Sequence, residues 1–259
     1  MEYLLICVVA LLGSGLTFFS GFGLGTLLLP VFALFFPVEE AIILTAIVHF
    51  LNNLFKLFLT GRHIDRRVLF YFGIPAILAA FGGALLLKHL SDARPVLDYT
   101  VAGHAFEIYL LPLCIGILLI VFAIFELIPR LSNFTVHAKY LPAGGILSGF
   151  FGGLSGHQGA LRSMFLLRAG LSKESFIATG VAIACLIDVS RLVVYIPQIL
   201  LHHQRLDYTL LTSATFSAFA GAFLGAKLLR KITVQLLQYL VATFLIVFGL
   251  LLAAGIVHT

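Results

Sequence analysis

Eight apolar runs divide this chain: residues 4–36, 41–60, 68–90, 107–128, 141–169, 174–199, 208–228 and 233–257. Most have the roughly 20 residues that a helix needs to cross a hydrocarbon layer of about 30 Å. Lipid offers no water to backbone N–H and C=O groups, so such runs cross as helices or as a closed barrel. Two-residue alternation over strand-length segments is weak, which argues against a barrel. The sequence is 61% hydrophobic and only 10% charged, with a mean hydropathy of +1.12, more apolar surface than a soluble core of 259 residues needs. These features predict an all-α polytopic membrane protein with the lipid bilayer as its solvent.

The formal charge of +5 is spread over short loops between apolar runs, so it reads as cytoplasmic anchoring and not as a nucleic-acid surface. The opening MEYLLICVVALLGSG has Glu2 where a signal peptide has basic residues, and is read as the first membrane element. Cys7, Cys114 and Cys185 lie far apart in apolar runs, with neither metal-ligand nor redox-pair spacing, and are read as small core residues. No cofactor or metal is expected. The absence of a Walker phosphate loop argues against direct use of ATP.

Two runs are too long for one crossing. Run 4–36 is interrupted by SGFGLG (Ser20 to Gly25), and run 141–169 by FGGLSGHQG (Phe151 to Gly159). Glycine weakens helix interiors, so each run is predicted to break into two short helices. The two halves also match in sequence. Gly25 pairs with Gly159 and Thr45 with Thr179 at an offset of 134; Asn53 pairs with Asp188 and Lys56 with Arg191 at 135; Gly82 pairs with Gly221 and Lys88 with Lys227 at 139. An internal duplication of this kind is a common plan for transporters. The predicted organisation is a membrane repeat over 1–128, a cytoplasmic linker over 129–140, and a second repeat over 141–259.

Charge indicates how the broken runs thread. If each were a single crossing, six basic loop residues would face seven across the membrane. If each enters and returns, ten share one side and only Lys88, Arg94 and Arg205 lie on the other, which satisfies the positive-inside rule. Five membrane elements per half then follow, up to ten helices in all. An odd number per half forces the two repeats into inverted orientations. Both termini are expected outside the cytoplasm and GRHIDRR inside, in the cell membrane.

A helix that starts at a break has unpaired N–H groups and a partial positive charge. Glycine lets a ligand approach that backbone closely. Two inverted repeats would bring two such tips together as an anion site. Polar residues inside the apolar runs point the same way. His49, Asn53 and Lys56, spaced by four and three, share a helix face. Asp188 and Arg191 are spaced to pair, while Arg162 has no nearby acid in sequence. Intramembrane charges are costly and mark functional interiors; here their balance is positive, which favours an anion. The candidate substrate-binding residues are Gly23, Gly25, Thr26, Asn53 and Lys56 from the first half. The second half supplies Gly156, His157, Gln158, Gly159, Arg162, Asp188 and Arg191. His49 is read as structural, and no catalytic residue is assigned.

The breaks GFGLGTLLLP (Gly21 to Pro30) and GLSGHQGALRSMFLL (Gly153 to Leu167), with KESFIATGVAIACLIDVSRLVVY (Lys173 to Tyr195), resemble the TauE/SafE permease family, also called sulfite exporters or TSUP. The resemblance runs over essentially the whole chain. It implies transport of small sulfur-containing anions, organic sulfonates or carboxylates across the cytoplasmic membrane, without a bound cofactor. His157 and Gln158 depart from the family's commoner glycine run. The leading reading is a secondary transporter working by alternating access. Coupling to protons, through His157, Asp188 or His49, or to sodium is compatible with it, as is a homodimer. Two alternatives compete. Gly153-Leu154-Ser155-Gly156 resembles the G-x-S-G pattern of rhomboid proteases, although the late runs 208–228 and 233–257 lack the histidine that pattern expects. The other alternative is a passive anion channel.

Overall fold

The computed structural model describes residues 2–20, 23–91, 95–101, 104–128, 136–201, 207–228 and 234–257. Gly21 of the first break, most of the predicted linker, and Arg94, Arg130, Arg205, Arg230 and Lys231 of the charge count lie outside the described residues. Helices α1 (Glu2–Ser20), α2 (Gly25–Phe32), α3 (Val38–Thr60), α4 (Arg66–Ser91) and α5 (Leu110–Leu127) come from the first half. Helices α6 (Leu141–Ser155), α7 (Gly159–Leu166), α8 (Lys173–Leu201), α9 (Tyr208–Leu228) and α10 (Val234–Ala253) come from the second. Among the described residues, four segments are long and apolar enough to span a bilayer: Val38–His63, Arg66–Ser91, Lys173–Leu200 and Tyr208–Lys227. Large apolar side chains such as Leu4, Phe58, Phe70, Leu78 and Phe216 point outward, as suits a lipid-facing surface.

Both predicted breaks are present. The chain leaves α1 and restarts as α2 at Gly25; it leaves α6 through Gly156 and restarts as α7 at Gly159. Helices α2 and α7 have eight residues each. At 1.5 Å per residue they are about 12 Å long, less than half of a bilayer core.

The helix starts have local causes. The Asp65 carboxylate caps α4 by accepting from the Val68 N–H at 2.9 Å, and Asp207 caps α9 by accepting from the Leu210 N–H at 2.9 Å. The Tyr3 hydroxyl donates to Asp207, and this bond holds the exposed Asp207 carboxyl below its ordinary range. Glu39 and Glu40 sit in the first turn of α3, where the helix dipole favours negative charge.

The helices pack in matching sets. Helix α4 lies along α6 as α9 lies along α1, α5 packs on α10, and α3 on α8. Helices α3 and α8 run antiparallel: Gln198 near the end of α8 donates to Glu39 at the start of α3 at 2.7 Å. At the opposite end, the Asp65 N–H donates to the Thr179 hydroxyl at 2.9 Å. Glycines set the closest approaches. A Cβ on Gly116 would lie 2.5 Å from the Gly249 carbonyl oxygen, and one on Gly249 would lie 2.7 Å from that of Gly116. On α4 the tight position is Gly83, whereas its neighbour Gly82, which the sequence pairs with Gly221, faces open space.

One segment departs from the helix-only expectation. Residues Pro95–Val101 (β1) and His104–Tyr109 (β2) form an antiparallel hairpin, so Glu107 to Tyr109 belong to a strand and α5 begins only at Leu110. The segment is rich in aromatic and β-branched residues that favour strands. Tyr99 and Phe106 are register partners whose rings stack at 5.3 Å. The hairpin rests on the end of α10, where the Tyr99 hydroxyl donates to the Ala254 carbonyl.

Candidate anion site

The two breaks meet. A Cβ on Gly25, the first residue of α2, would lie 3.7 Å from the Gly156 carbonyl oxygen at the turn before α7. Beside this meeting point is a cavity of about 30 Å³. One water needs roughly 10–15 Å³ on this measure, so the space admits a group of a few atoms. Its polar and charged lining comes from Thr17, His49, Asn53, Lys56, Arg162 and Ser163, and its wall includes Gly23, Leu24, Phe176 and Gly180. Lys56 and Arg162 are both buried. Neither has a carboxylate within salt-bridge distance among the described residues.

Behind the cavity, Asp188 ties the two halves together. It is fully buried and receives His49 Nδ1 at 2.7 Å, Arg191 Nε at 3.1 Å, Asn53 Nδ2 at 3.2 Å and Gln158 Nε2 at 3.5 Å. Arg191 Nη2 adds an ion contact at 2.8 Å. With Asp188 as acceptor, His49 carries its proton on Nδ1, and Nε2 is left on the side facing Gly23. Arg162 Nη1 donates to Gln158 Oε1 at 3.0 Å, so the cavity-lining cation is positioned by the same cluster. Asp188 and Arg191 are one counter-charged pair. The net positive charge of the lining therefore comes from Lys56 and Arg162.

The predicted residues divide into groups. Gly23, Asn53, Lys56 and Arg162 line the cavity; Gln158, Asp188 and Arg191 form the cluster behind it. Gly25 and Gly159 begin the short helices. Thr26 turns back on its own break: its hydroxyl donates to the Gly23 carbonyl at 2.7 Å and its N–H reaches the same oxygen at 3.2 Å. Gly156 serves as a turn. Its φ is +82°, and Arg191 Nη1 would lie 2.7 Å from a Cβ there, so both backbone and space call for glycine. His157 lies away from the cavity lining, its ring stacked on Phe122 at 5.7 Å. Thr179 is occupied by the Asp65 N–H.

His49, read from the sequence as structural, both lines the cavity and bonds Asp188. Its place on one face with Asn53 and Lys56 was the available signal; its partner Asp188 is 139 positions away. Phe18 and Gly180 line the cavity too, and neither carries a local signal.

The serine of the protease-like pattern bonds within its own segment. Ser155 Oγ donates to the Phe151 carbonyl at 3.1 Å and lies 3.2 Å from His157 Nδ1.

The family model "Sulfite exporter TauE/SafE" matches residues 5–252. No curated protein and no solved structure matches the chain.

Proposed function

Because the chain belongs to the sulfite exporter TauE/SafE family, we propose that it is a secondary transporter that carries a small sulfur-containing anion, organic sulfonate or carboxylate across the cell membrane by alternating access. The observation that carries this reading is a small cavity beside two helix breaks, lined by Lys56 and Arg162 with no carboxylate among the described residues of its lining. Lys56 and Arg162 hold the anion. Asp188 and Arg191 hold the two halves in register behind it, and His49, between Asp188 and the cavity, carries a coupling proton. The groups facing His49 are Asp188, Arg191, Asn53 and Lys56.

Alternating access in this reading rocks one inverted repeat against the other. Three observations support a two-fold relation. Asn53 and Asp188 match in sequence and bond to each other at 3.2 Å. Gly116 and Gly249 make the same contact in both directions, as groups beside a two-fold axis do. Helices α3 and α8, which bear the matched residues, run antiparallel. In this reading the charge bias puts the termini outside the cytoplasm and the loop with Arg62, Arg66 and Arg67 inside.

A thermal-shift screen of sulfite, thiosulfate, sulfoacetate, taurine and simple carboxylates on purified protein tests the site. A ligand that binds only the folded state at 100 times its Kd adds about 2.7 kcal/mol of apparent stability. At least one small anion is expected to raise the melting temperature of the parent protein and not of Lys56→Met or Arg162→Met. Equal shifts in both variants would remove these two residues from the site.

A further inference from the structure

A second cavity, of about 700 Å³, lies next to the first. Its lining includes His63, Lys173, Glu174 and Lys227, with more lysine than acid. Among the described residues two side chains line both cavities: Phe18 from α1 and Ile177 from α8, one from each half of the chain. These two side chains lie, among the described residues, where the wider space, a vestibule, meets the inner cavity.

Phe18 has a particular place in that wall. Its side chain is buried, and Lys56 Nζ stands over its ring at 5.5 Å from the centroid. An ammonium in apolar surroundings gains from the face of an aromatic ring. It gains more from a full negative charge at similar distance, because charge–charge attraction in a poorly hydrated site exceeds attraction to a ring quadrupole. Lys56 also has a flexible stem, which lets its head change partners without moving α3.

We propose that Phe18 is the barrier between vestibule and anion site, and that Lys56 holds its ring closed until an anion takes the ammonium. The barrier then opens to anions in preference to neutral solutes, because only a charge that competes for Lys56 releases the ring. The vestibule lysines raise the local anion concentration at the barrier. The second part of the proposal, release by the anion, rests on the transporter reading above; the barrier itself does not.

The experiment measures access to the inner cavity by thiol labelling. In protein with Cys7, Cys114 and Cys185 replaced by alanine, Gly180→Cys places a thiol on the inner-cavity wall, where a Cβ makes ordinary contact with Arg162 Nε at 3.4 Å. Thr60→Cys places one in the vestibule. The probe is a negatively charged methanethiosulfonate. Phe18→Leu keeps apolar bulk and removes the ring, and is expected to speed labelling at position 180 about tenfold, the scale of losing a desolvated ring–cation contact. Phe18→Tyr keeps the ring and is expected to leave that rate unchanged. Labelling at position 60 is expected to be equal in all three backgrounds, which reports an intact vestibule. Equal labelling at position 180 in Phe18→Leu and its parent would overturn the proposal. A lack of anion binding by every variant would instead defeat the transporter reading and leave the labelling result standing.

Discussion

Asp188→Ala is expected to destabilise the folded protein by about 3–5 kcal/mol and to abolish transport. The carboxylate is fully buried and is the common partner of His49, Asn53, Gln158 and Arg191. Its removal strands Arg191, which is itself fully buried and whose Nη1 and Nη2 make no other hydrogen bond among the described residues. An uncompensated cation in that position is the main cost. Asp188→Asn preserves shape and loses charge, so it is expected to fail in the same direction. The double substitution Asp188→Leu with Arg191→Met removes both charges. Buried ion pairs replaced together by apolar groups are often near neutral for stability. The double variant is therefore expected to recover much of the melting temperature in detergent while transport stays lost. Recovery of transport would show that the cluster has no part in it.

Gly149→Leu has the largest expected effect on folding. On α6, Gly145, Gly149 and Gly153 recur every four residues and face α4. A Cβ on them would lie 2.2, 2.2 and 2.1 Å from the carbonyl oxygens of Phe72, Ala76 and Ala80. These obstacles are backbone, so no rotamer change relieves them and the two helices must separate. Overpacking costs about 1–3 kcal/mol where side chains can yield, and more is expected here. The same close approach recurs where α9 meets α1: a Cβ on Gly221 would lie 2.0 Å from the Leu11 carbonyl oxygen. Helices in lipid associate through such small-residue seams. Gly149→Ala is expected to reduce the monodisperse fraction on size-exclusion chromatography sharply, and Gly149→Leu to remove it. Gly82→Ala, where a Cβ meets nothing within 4 Å, is the matched control and is expected to be neutral or mildly stabilising. A monodisperse Gly149→Leu protein of parental stability would contradict this packing.

Much of the scaffold was legible because membrane helices obey strong local rules. Apolar run length located the helices, and paired glycine breaks located α2 and α7, which begin at the matched residues Gly25 and Gly159. The three-residue spacing of Asp188 and Arg191 foretold their bond. The hairpin over 95–109 was missed because its short strands lie between and partly within apolar runs. The glycines of the second break were the hardest to sort. Gly153 seats α6 on α4, Gly156 makes a left-handed turn, and Gly159 starts a helix. Nothing local distinguishes them; their partners on α4 and α8 do. The same holds for His49, whose bond is to Asp188 in the other half, and for Phe18, an aromatic residue among many until it is found lining two cavities.

The central claim is that Lys56 and Arg162 hold a small anion that the protein carries between alternating states. Counterflow in proteoliposomes tests it most directly: vesicles preloaded with unlabelled thiosulfate or sulfite are diluted into a trace of the same anion carrying sulfur-35. Lys56 and Arg162 have no carboxylate within salt-bridge distance among the described residues, and loss of one such contact to an anion at a buried site costs about tenfold or more in affinity. The account predicts saturable, transient accumulation of label with the parent protein, reduced about tenfold or more in Lys56→Met and Arg162→Met. Label that merely equilibrates without accumulation, or accumulation undiminished in both variants, would contradict it.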